Sequence, residues 1–144
     1  MIFNKNFLIG QELVRRKLIN QEQLDKGLIL HEEKGIRLGR ALIELGFINE
    51  NDLINVIADQ LSIEHVNLNE LEISSELLSY ISKDIAQQYN VFPVSFTSGI
   101  LTVCVSDPLN TEMIHELQKK LSNNIKLSIA SKEVIQNAIK KYYS

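Results

Sequence analysis

The stretch "IRLGRALIELGFINENDLINVIADQ" at residues 36–60 decides the fold of the first half of this chain. Its apolar residues recur at intervals of three and four, which is the spacing of one face of an α-helix. The pattern is interrupted near Gly46 and then resumes, so it predicts a short helix, a turn and a longer helix. Packing accounts for the apolar positions. It does not account for Arg37, Gly39 or Gln60, which no apolar helix face requires.

The same pattern occurs earlier in the chain, because residues 8–31 match residues 37–60 when the sequence is shifted by 29 positions. The matched pairs are Gly10 with Gly39, Leu13 with Leu42, Val14 with Ile43, Ile19 with Ile48, Asn20 with Asn49, Leu24 with Leu53, and Leu28 with Ile57. A duplicated pair of helices keeps such apolar and boundary residues. The two asparagines precede the longer helices and are predicted N-caps. With residues 32–36 as the connection, the repeat predicts a four-helix subdomain over residues 1–62.

The second half of the chain has a different periodicity, with short alternating stretches between helical ones. The predicted elements are a short strand at 64–68, a helix at 74–90, a strand hairpin within 91–107, a helix from Asn110 or Thr111, a strand at 125–130 and a helix from Ser131. Pro93 lies inside the first hairpin strand, which predicts that this strand is at a sheet edge or bulged. Residues 63–144 are therefore predicted to form a small α/β subdomain. The fold class predicted for the whole chain is α+β.

Composition excludes several classes of protein. The chain has 144 residues, 44% of them hydrophobic and 23% charged, with a formal net charge of −3. Such a charge gives no overall attraction to DNA, RNA or an anionic membrane. No apolar run approaches the length of a transmembrane helix, and no secretory leader is recognisable, so a cytoplasmic location is predicted. The one cysteine, Cys104, lies in the apolar run "ILTVCV" and is predicted to be a buried small hydrophobe.

The sequence contains no pattern that argues for catalysis. The phosphate-binding loop of NTPases, G-x-x-x-x-G-K-S/T, is missing. His31, His65 and His115 are far apart, and none has a second ligand at helical spacing, so no metal site is predicted. We therefore predict that this chain is not an enzyme.

Arg37, Gly39 and Gln60 allow two interpretations. In a binding site, arginine grips guanine O6 and N7, glycine admits a ligand to the backbone, and glutamine closes the pocket with a donor and an acceptor. In a purely structural interpretation, Arg37 pairs with Glu33 or Glu44, Gly39 permits a tight helix crossing, and Gln60 faces solvent. The residues by themselves favour the structural interpretation.

The tandem spacing resembles a known family. Residues 8–31 and 37–60, five residues apart, are similar to the paired 24-residue motifs of the MshE-type cyclic di-GMP-binding domain. That domain forms the N-terminal part of many ATPases that drive type II secretion and type IV pilus assembly. In the second motif the resemblance is carried by Arg37, Leu38, Gly39, Leu42, Gly46, Leu53, Ile57 and Gln60.

The resemblance implies that both motifs jointly hold one cyclic di-GMP and that no other cofactor is required. The implied ligand contacts are Arg37, Leu38, Gly39, Leu42 and Gln60 from the second motif, and Ile9, Gly10, Leu13 and His31 from the first. The first motif departs from the family pattern. Leu8 stands where arginine is expected, Lys17 replaces the turn glycine, and His31 replaces the glutamine. The resemblance therefore implies weak binding through one intact motif.

The same resemblance implies an alternative function. In these ATPases the N-terminal region docks onto the cytoplasmic domain of a membrane-anchored platform protein. If this chain has lost the ligand, docking without any nucleotide is the function that remains. Such a partner would also bring the chain to the inner membrane.

Overall fold

The computed structural model of the chain describes residues 5–143. Over these residues the chain forms eight α-helices, one 3-10 turn and four strands, which confirms the predicted α+β class. The chain divides into two compact units, of which the first ends at Leu61 and the second begins at Ser62. Residues 1–4 of the predicted helical subdomain, and Ser144 of the α/β subdomain, lie outside the described part.

The N-terminal unit consists of two helical hairpins. Its helices are α1 (Lys5–Arg15), α2 (Gln21–Lys34), α3 (Leu38–Glu44) and α4 (Glu50–Leu61). Its buried apolar residues are Ile9, Leu13, Ile19, Leu24, Leu38, Ala41, Leu42, Ile48, Leu53, Ile54, Val56, Ile57 and Ala58. Four pairs of them are related by the 29-residue shift: Ile9 with Leu38, Leu13 with Leu42, Ile19 with Ile48, and Leu24 with Leu53. The hairpin repeat predicted from the sequence is therefore confirmed, and its apolar positions form the core of this unit.

Equivalent asparagines begin the longer helix of each hairpin. The Asn20 side chain accepts a hydrogen bond from the backbone N–H of Gln23 at 2.8 Å, and the Gln23 side chain accepts one from the Asn20 N–H at 2.9 Å. In the second hairpin the Asn49 side chain accepts from the backbone N–H of Asp52 at 2.8 Å. These bonds satisfy N–H groups that have no partner inside the helix. Both predicted N-caps are confirmed.

Equivalent turns join the helices of each hairpin, and both require a left-handed backbone. Gly46 has φ +79°, and Lys17, the residue 29 positions earlier, has φ +62°. Glycine adopts this conformation at no steric cost, whereas a residue with a side chain pays about 1–2 kcal/mol. The turn of the first hairpin is therefore strained at Lys17.

Replacing Lys17 by glycine is expected to raise the free energy of unfolding by about 1 kcal/mol, because it removes this strain. Chemical denaturation followed by circular dichroism measures the change. The control is Lys26→Gly, since Lys26 lies inside α2, where glycine should lower stability by about 1 kcal/mol. A loss of stability in Lys17→Gly would contradict the strained-turn interpretation.

The C-terminal unit is built on one mixed sheet. Its elements are β1 (Glu64–His65), a 3-10 turn (Leu68–Glu70), α5 (Ser75–Leu78), α6 (Lys83–Tyr89), β2 (Val91–Thr97), β3 (Ile100–Val105), α7 (Thr111–Lys120), β4 (Asn124–Ile129) and α8 (Lys132–Tyr142). The strand order is β1-β4-β3-β2. Strands β2 and β3 are antiparallel, while β4 runs parallel to both β3 and β1. Ser98 and Gly99 both have positive φ, which is typical of a tight hairpin turn.

Two details of this unit test the sequence prediction. Pro93 lies on β2 at the end of the sheet order, and the register shifts between Pro93 and Ser95, so the strand is at an edge and also bulged. The single helix predicted over residues 74–90 is wrong, because the chain forms α5 and α6 instead. Ser82 has an extended backbone, and its side chain accepts the Ile85 N–H at 3.2 Å, so it starts a new helix rather than continuing the first.

The core of the C-terminal unit surrounds Phe92, whose side chain is fully buried. Its ring lies 5.7 Å from the Tyr142 ring and 5.9 Å from the Tyr143 ring, measured between centroids. The Tyr143 hydroxyl donates to the carbonyl of Ile81 at 2.7 Å and to that of Leu78 at 3.3 Å. Burial raises the pKa of this hydroxyl to about 12. Tyr143 thus attaches the end of α8 to the segment between α5 and α6.

Cys104 is fully buried in β3, as predicted. Burial raises the pKa of its thiol to about 12. The reactive thiolate is therefore scarce in the folded chain, on the order of a thousandfold below that of a thiol with a pKa of 9.0. We expect an aromatic disulfide reagent at mildly alkaline pH to label Cys104 only as the chain unfolds. The denatured chain is the control, and rapid stoichiometric labelling of the native chain would contradict the prediction.

Candidate ligand site in the N-terminal unit

The second motif begins at a helix boundary. Arg37 is the N-cap of α3, with an extended backbone (φ −67°, ψ 150°) and a half-buried side chain. Leu38 and Gly39, which follow it, are buried. Arg37 therefore lies directly before the first buried residues of α3, where the chain enters the core of the N-terminal unit.

The first motif begins differently. Leu8 occupies the repeat position of Arg37 but lies within α1, so its backbone is helical, and its side chain is 42% exposed. The starts of the two motifs are nevertheless close in space, since a Cβ built on Gly10 would lie 3.1 Å from Leu38 Cδ2. The motifs thus differ in backbone conformation as well as in side chain at their first position. Comparing the sequences of the two motifs revealed only the difference in side chain.

The last residue of the second motif contacts the first residue of the first motif, and the last residue of the first motif contacts the residue before the second. The Gln60 Nε2 donates to the Leu8 carbonyl at 3.2 Å. His31, at the repeat position of Gln60, donates from Nδ1 to the carbonyl of Ile36, the residue before Arg37. The sequence prediction grouped Gln60 with Arg37. The structure places Gln60 beside Leu8, and His31 beside the residue that precedes Arg37.

The motif glycines serve helix packing. A Cβ built on Gly39 would lie 2.6 Å from Leu53 Cδ2, and one built on Gly10 would lie 2.7 Å from Leu24 Cδ1. The two contacts are repeat equivalents, and no real Cβ tolerates such distances without movement of its neighbour. Of the two roles considered for Gly39, the structure supports the tight helix crossing.

The apolar residues predicted to contact a ligand belong to the core. Leu13, Leu38 and Leu42 are 0% exposed and Ile9 is 3% exposed. These four side chains hold the frame in place and offer a ligand little surface. The surface at the two motif junctions comes instead from Leu8, Arg37, His31 and Gln60, which are half-buried or exposed.

A charged cluster fixes the end of α4 against α1, and the sequence analysis missed it. Arg16 pairs with Glu12 at 2.8 Å within α1 and with Asp59 at 3.0 Å on α4, directly before Gln60. Hydrogen bonds from Arg15 and then Arg16 lower the pKa of the Glu12 carboxyl to about 2. Glu12 therefore stays ionised over the physiological range. Because nothing in local periodicity pairs positions 16 and 59, only the folded chain reveals it.

In residues 5–143, no group of three or more histidine, cysteine, aspartate or glutamate side chains is arranged to hold a metal ion. No helix in the same span is long and apolar enough to cross a membrane.

The fold and the paired motif junctions define a small α+β module whose first unit is a tandem helical repeat. The chain belongs to the MshEN domain family, which it matches over residues 61–144. The predicted resemblance is confirmed. The family match covers the C-terminal unit. The similarity of the two motifs in the N-terminal unit to this family is therefore supported by the comparisons that cover nearly the whole chain.

Three relatives cover nearly all of the chain. The type IV pilus assembly ATPase PilB of Myxococcus xanthus is 30% identical over 136 residues, which are 94% of this chain and 24% of PilB. Bacteriophage adsorption protein B of Escherichia coli K12 is 24% identical over 136 residues, which are 94% of this chain and 18% of that protein. The structure of MshE with cyclic di-GMP has a TM-score of 0.87 at 25% identity, covering 94% of this chain and 98% of that chain. The chain thus spans about a quarter or less of these two curated relatives.

Proposed function

We propose that this chain is a non-catalytic regulatory module that binds a cyclic purine dinucleotide, with cyclic di-GMP as the reference ligand, through its N-terminal unit. The observation that carries the proposal is the contact between the two motifs, in which Gln60 at the end of the second donates to the Leu8 carbonyl at the start of the first. This contact brings the end of the second motif to the start of the first, and His31 at the end of the first motif bonds to Ile36, directly before the second. The proposal is further supported by the likeness to MshE, which was solved with this ligand.

Arg37 is assigned the contact to a guanine base. A guanidinium donates two parallel hydrogen bonds to guanine O6 and N7, and it can also stack on the ring. Leu8 offers only apolar surface at the corresponding position of the other motif. Losing one charged hydrogen-bond donor costs about 1.5–3 kcal/mol, or roughly one to two decades of affinity. Binding of cyclic di-GMP should therefore be weak.

Titration calorimetry with cyclic di-GMP tests the proposal on the native chain, Arg37→Ala and Leu8→Arg. We expect weak binding by the native chain, loss of binding in Arg37→Ala, and affinity raised about tenfold or more in Leu8→Arg. The matched control is Arg40→Ala, since Arg40 is an exposed arginine of the same helix that pairs with Glu50 at 3.4 Å. If saturating ligand gives no heat with the native chain or with Leu8→Arg, nucleotide binding is excluded.

The same chain is proposed to dock onto the cytoplasmic domain of a membrane-anchored pilus or secretion platform protein. Support comes from the likeness to PilB, a pilus assembly ATPase. Docking would place this module at the cytoplasmic face of the inner membrane. Size-exclusion chromatography with the platform domain from the same genome should give a complex at micromolar concentrations. Separate elution of the two proteins, with and without cyclic di-GMP, would argue against docking.

Docking without a nucleotide is the competing function. It is favoured by the departures of the first motif at Leu8 and His31. The two functions separate in the experiments above, because docking alone predicts a complex with the platform domain and no calorimetric response. In either case we propose that the 144-residue chain does not hydrolyse ATP. Release of phosphate by the purified chain above the buffer blank would overturn this.

A further inference from the structure

The two junctions between the motifs present unlike chemistry. One junction contains Arg37 with His31, whose Nδ1 donates to the adjacent Ile36 carbonyl. The other contains Leu8 with Gln60, whose Nε2 donates to the Leu8 carbonyl at 3.2 Å. A cation is thus present at one junction, and an amide beside an apolar side chain at the other. A ligand with two identical ends cannot satisfy both junctions equally.

The Gln60 amide has bonding capacity beyond its contact with Leu8. A glutamine side chain carries two N–H donors and one carbonyl acceptor, and the contact with Leu8 uses one donor. The remaining N–H and the Oε1 form a donor and acceptor pair. This pair matches the N7 acceptor and N6 amino donor of adenine, just as a guanidinium matches the O6 and N7 acceptors of guanine.

Leu8 strengthens the difference between the junctions. Its side chain is 42% exposed and can pack against the face of a base, but it donates no hydrogen bond. A guanine placed there would lack the two-donor partner that Arg37 gives at the other junction. Leaving a desolvated acceptor without a donor is costly. Adenine presents no such pair of acceptors, since its N6 group donates to the glutamine carbonyl.

We propose that the site prefers a ligand with unlike ends, a cyclic purine dinucleotide that carries one guanine and one adenine. Arg37 reads the guanine, and Gln60 reads the adenine while Leu8 packs on its ring. This inference rests on the proposed nucleotide-binding function and identifies which dinucleotide that site selects.

The test is calorimetry of the native chain with three cyclic dinucleotides, containing two guanines, two adenines, or one of each. We expect the mixed ligand to bind about tenfold or more tightly than either symmetrical one, since a bidentate base contact gives about that discrimination. Leu8→Arg is expected to reverse the order in favour of the two-guanine ligand. Gln60→Ala is expected to abolish the preference for the mixed ligand, while the exposed Gln21→Ala, which lies on α2, leaves it intact.

The outcomes separate the two proposals. If the native chain binds the two-guanine ligand as tightly as the mixed one, this inference fails and nucleotide binding stands. If Gln60→Ala retains the full preference with an unchanged circular dichroism spectrum, the assigned role of Gln60 is wrong. If none of the three ligands binds the native chain, the proposed nucleotide-binding function fails and this inference fails with it.

Discussion

Leu42→Ala is expected to lower the free energy of unfolding by about 2–5 kcal/mol, which is a large part of the stability of a small domain. Leu42 is fully buried in α3, and its side chain fills the space beside Gly27 of α2, where an added Cβ would lie 2.5 Å from Leu42 Cδ2. Truncation leaves a cavity that the backbone at Gly27 cannot fill. Urea denaturation followed by far-ultraviolet circular dichroism measures the loss.

The control for this variant is Leu45→Ala. Leu45 follows α3 directly and is 38% exposed, so its truncation should cost about 1 kcal/mol or less. Equal stability of the two variants would show that Leu42 does not form part of the core. The Leu42→Ala variant also bears on function. If the helices of the N-terminal unit pack less tightly, the affinity for any ligand that bridges Arg37 and Leu8 should fall.

Phe92→Ala is expected to have a comparable or larger effect, about 3–5 kcal/mol. Phe92 is fully buried in β2 and touches the rings of Tyr142 and Tyr143 at the end of α8. Aromatic contacts of this kind add about 0.5–1.5 kcal/mol to the gain from burial. The near-ultraviolet circular dichroism of the tyrosines should weaken together with the stability.

The matched control is Phe96→Ala on the same strand. Phe96 is 38% exposed and stacks on Tyr80 with ring centroids 4.4 Å apart, so the expected loss is about 1 kcal/mol. A larger loss for Phe96 than for Phe92 would contradict the assignment of the core. Since the candidate ligand site lies in the N-terminal unit, this pair of variants tests the second unit independently of nucleotide binding.

The glycine packing is the same in both repeats, whereas the residues at the two motif junctions differ. Leu8 and His31 differ from the residues expected in the first motif, yet the glycine contacts with Leu24 and Leu53 are preserved in both repeats. A Cβ at either glycine would require the facing leucine side chain to move. Leu8 is 42% exposed, so packing places no such constraint on its side chain.

The local elements of the fold could be predicted from the sequence. Asn20, Asn49 and Ser131 each begin a helix as predicted, because an N-cap acts through backbone groups only two or three residues away. The hairpin turn at Ser98 and the bulge after Pro93 follow from equally local backbone preferences. The hidden helix boundary at Ser82 was missed, since its apolar neighbours continue a helical spacing across the break.

The candidate site was determined only by tertiary structure. The sequence identified Arg37 and Gln60 as unusual but could not pair Gln60 with Leu8, which lies 52 positions away. The sequence also placed Leu8 at the repeat position of Arg37, but it did not show that Leu8 lies within a helix whereas Arg37 is an N-cap. Periodicity reports which face of a helix is buried and carries no information on which helix lies against it. Pairings such as Gln60 with Leu8 and Arg16 with Asp59 arise only when packing of the apolar faces sets the distances between helices.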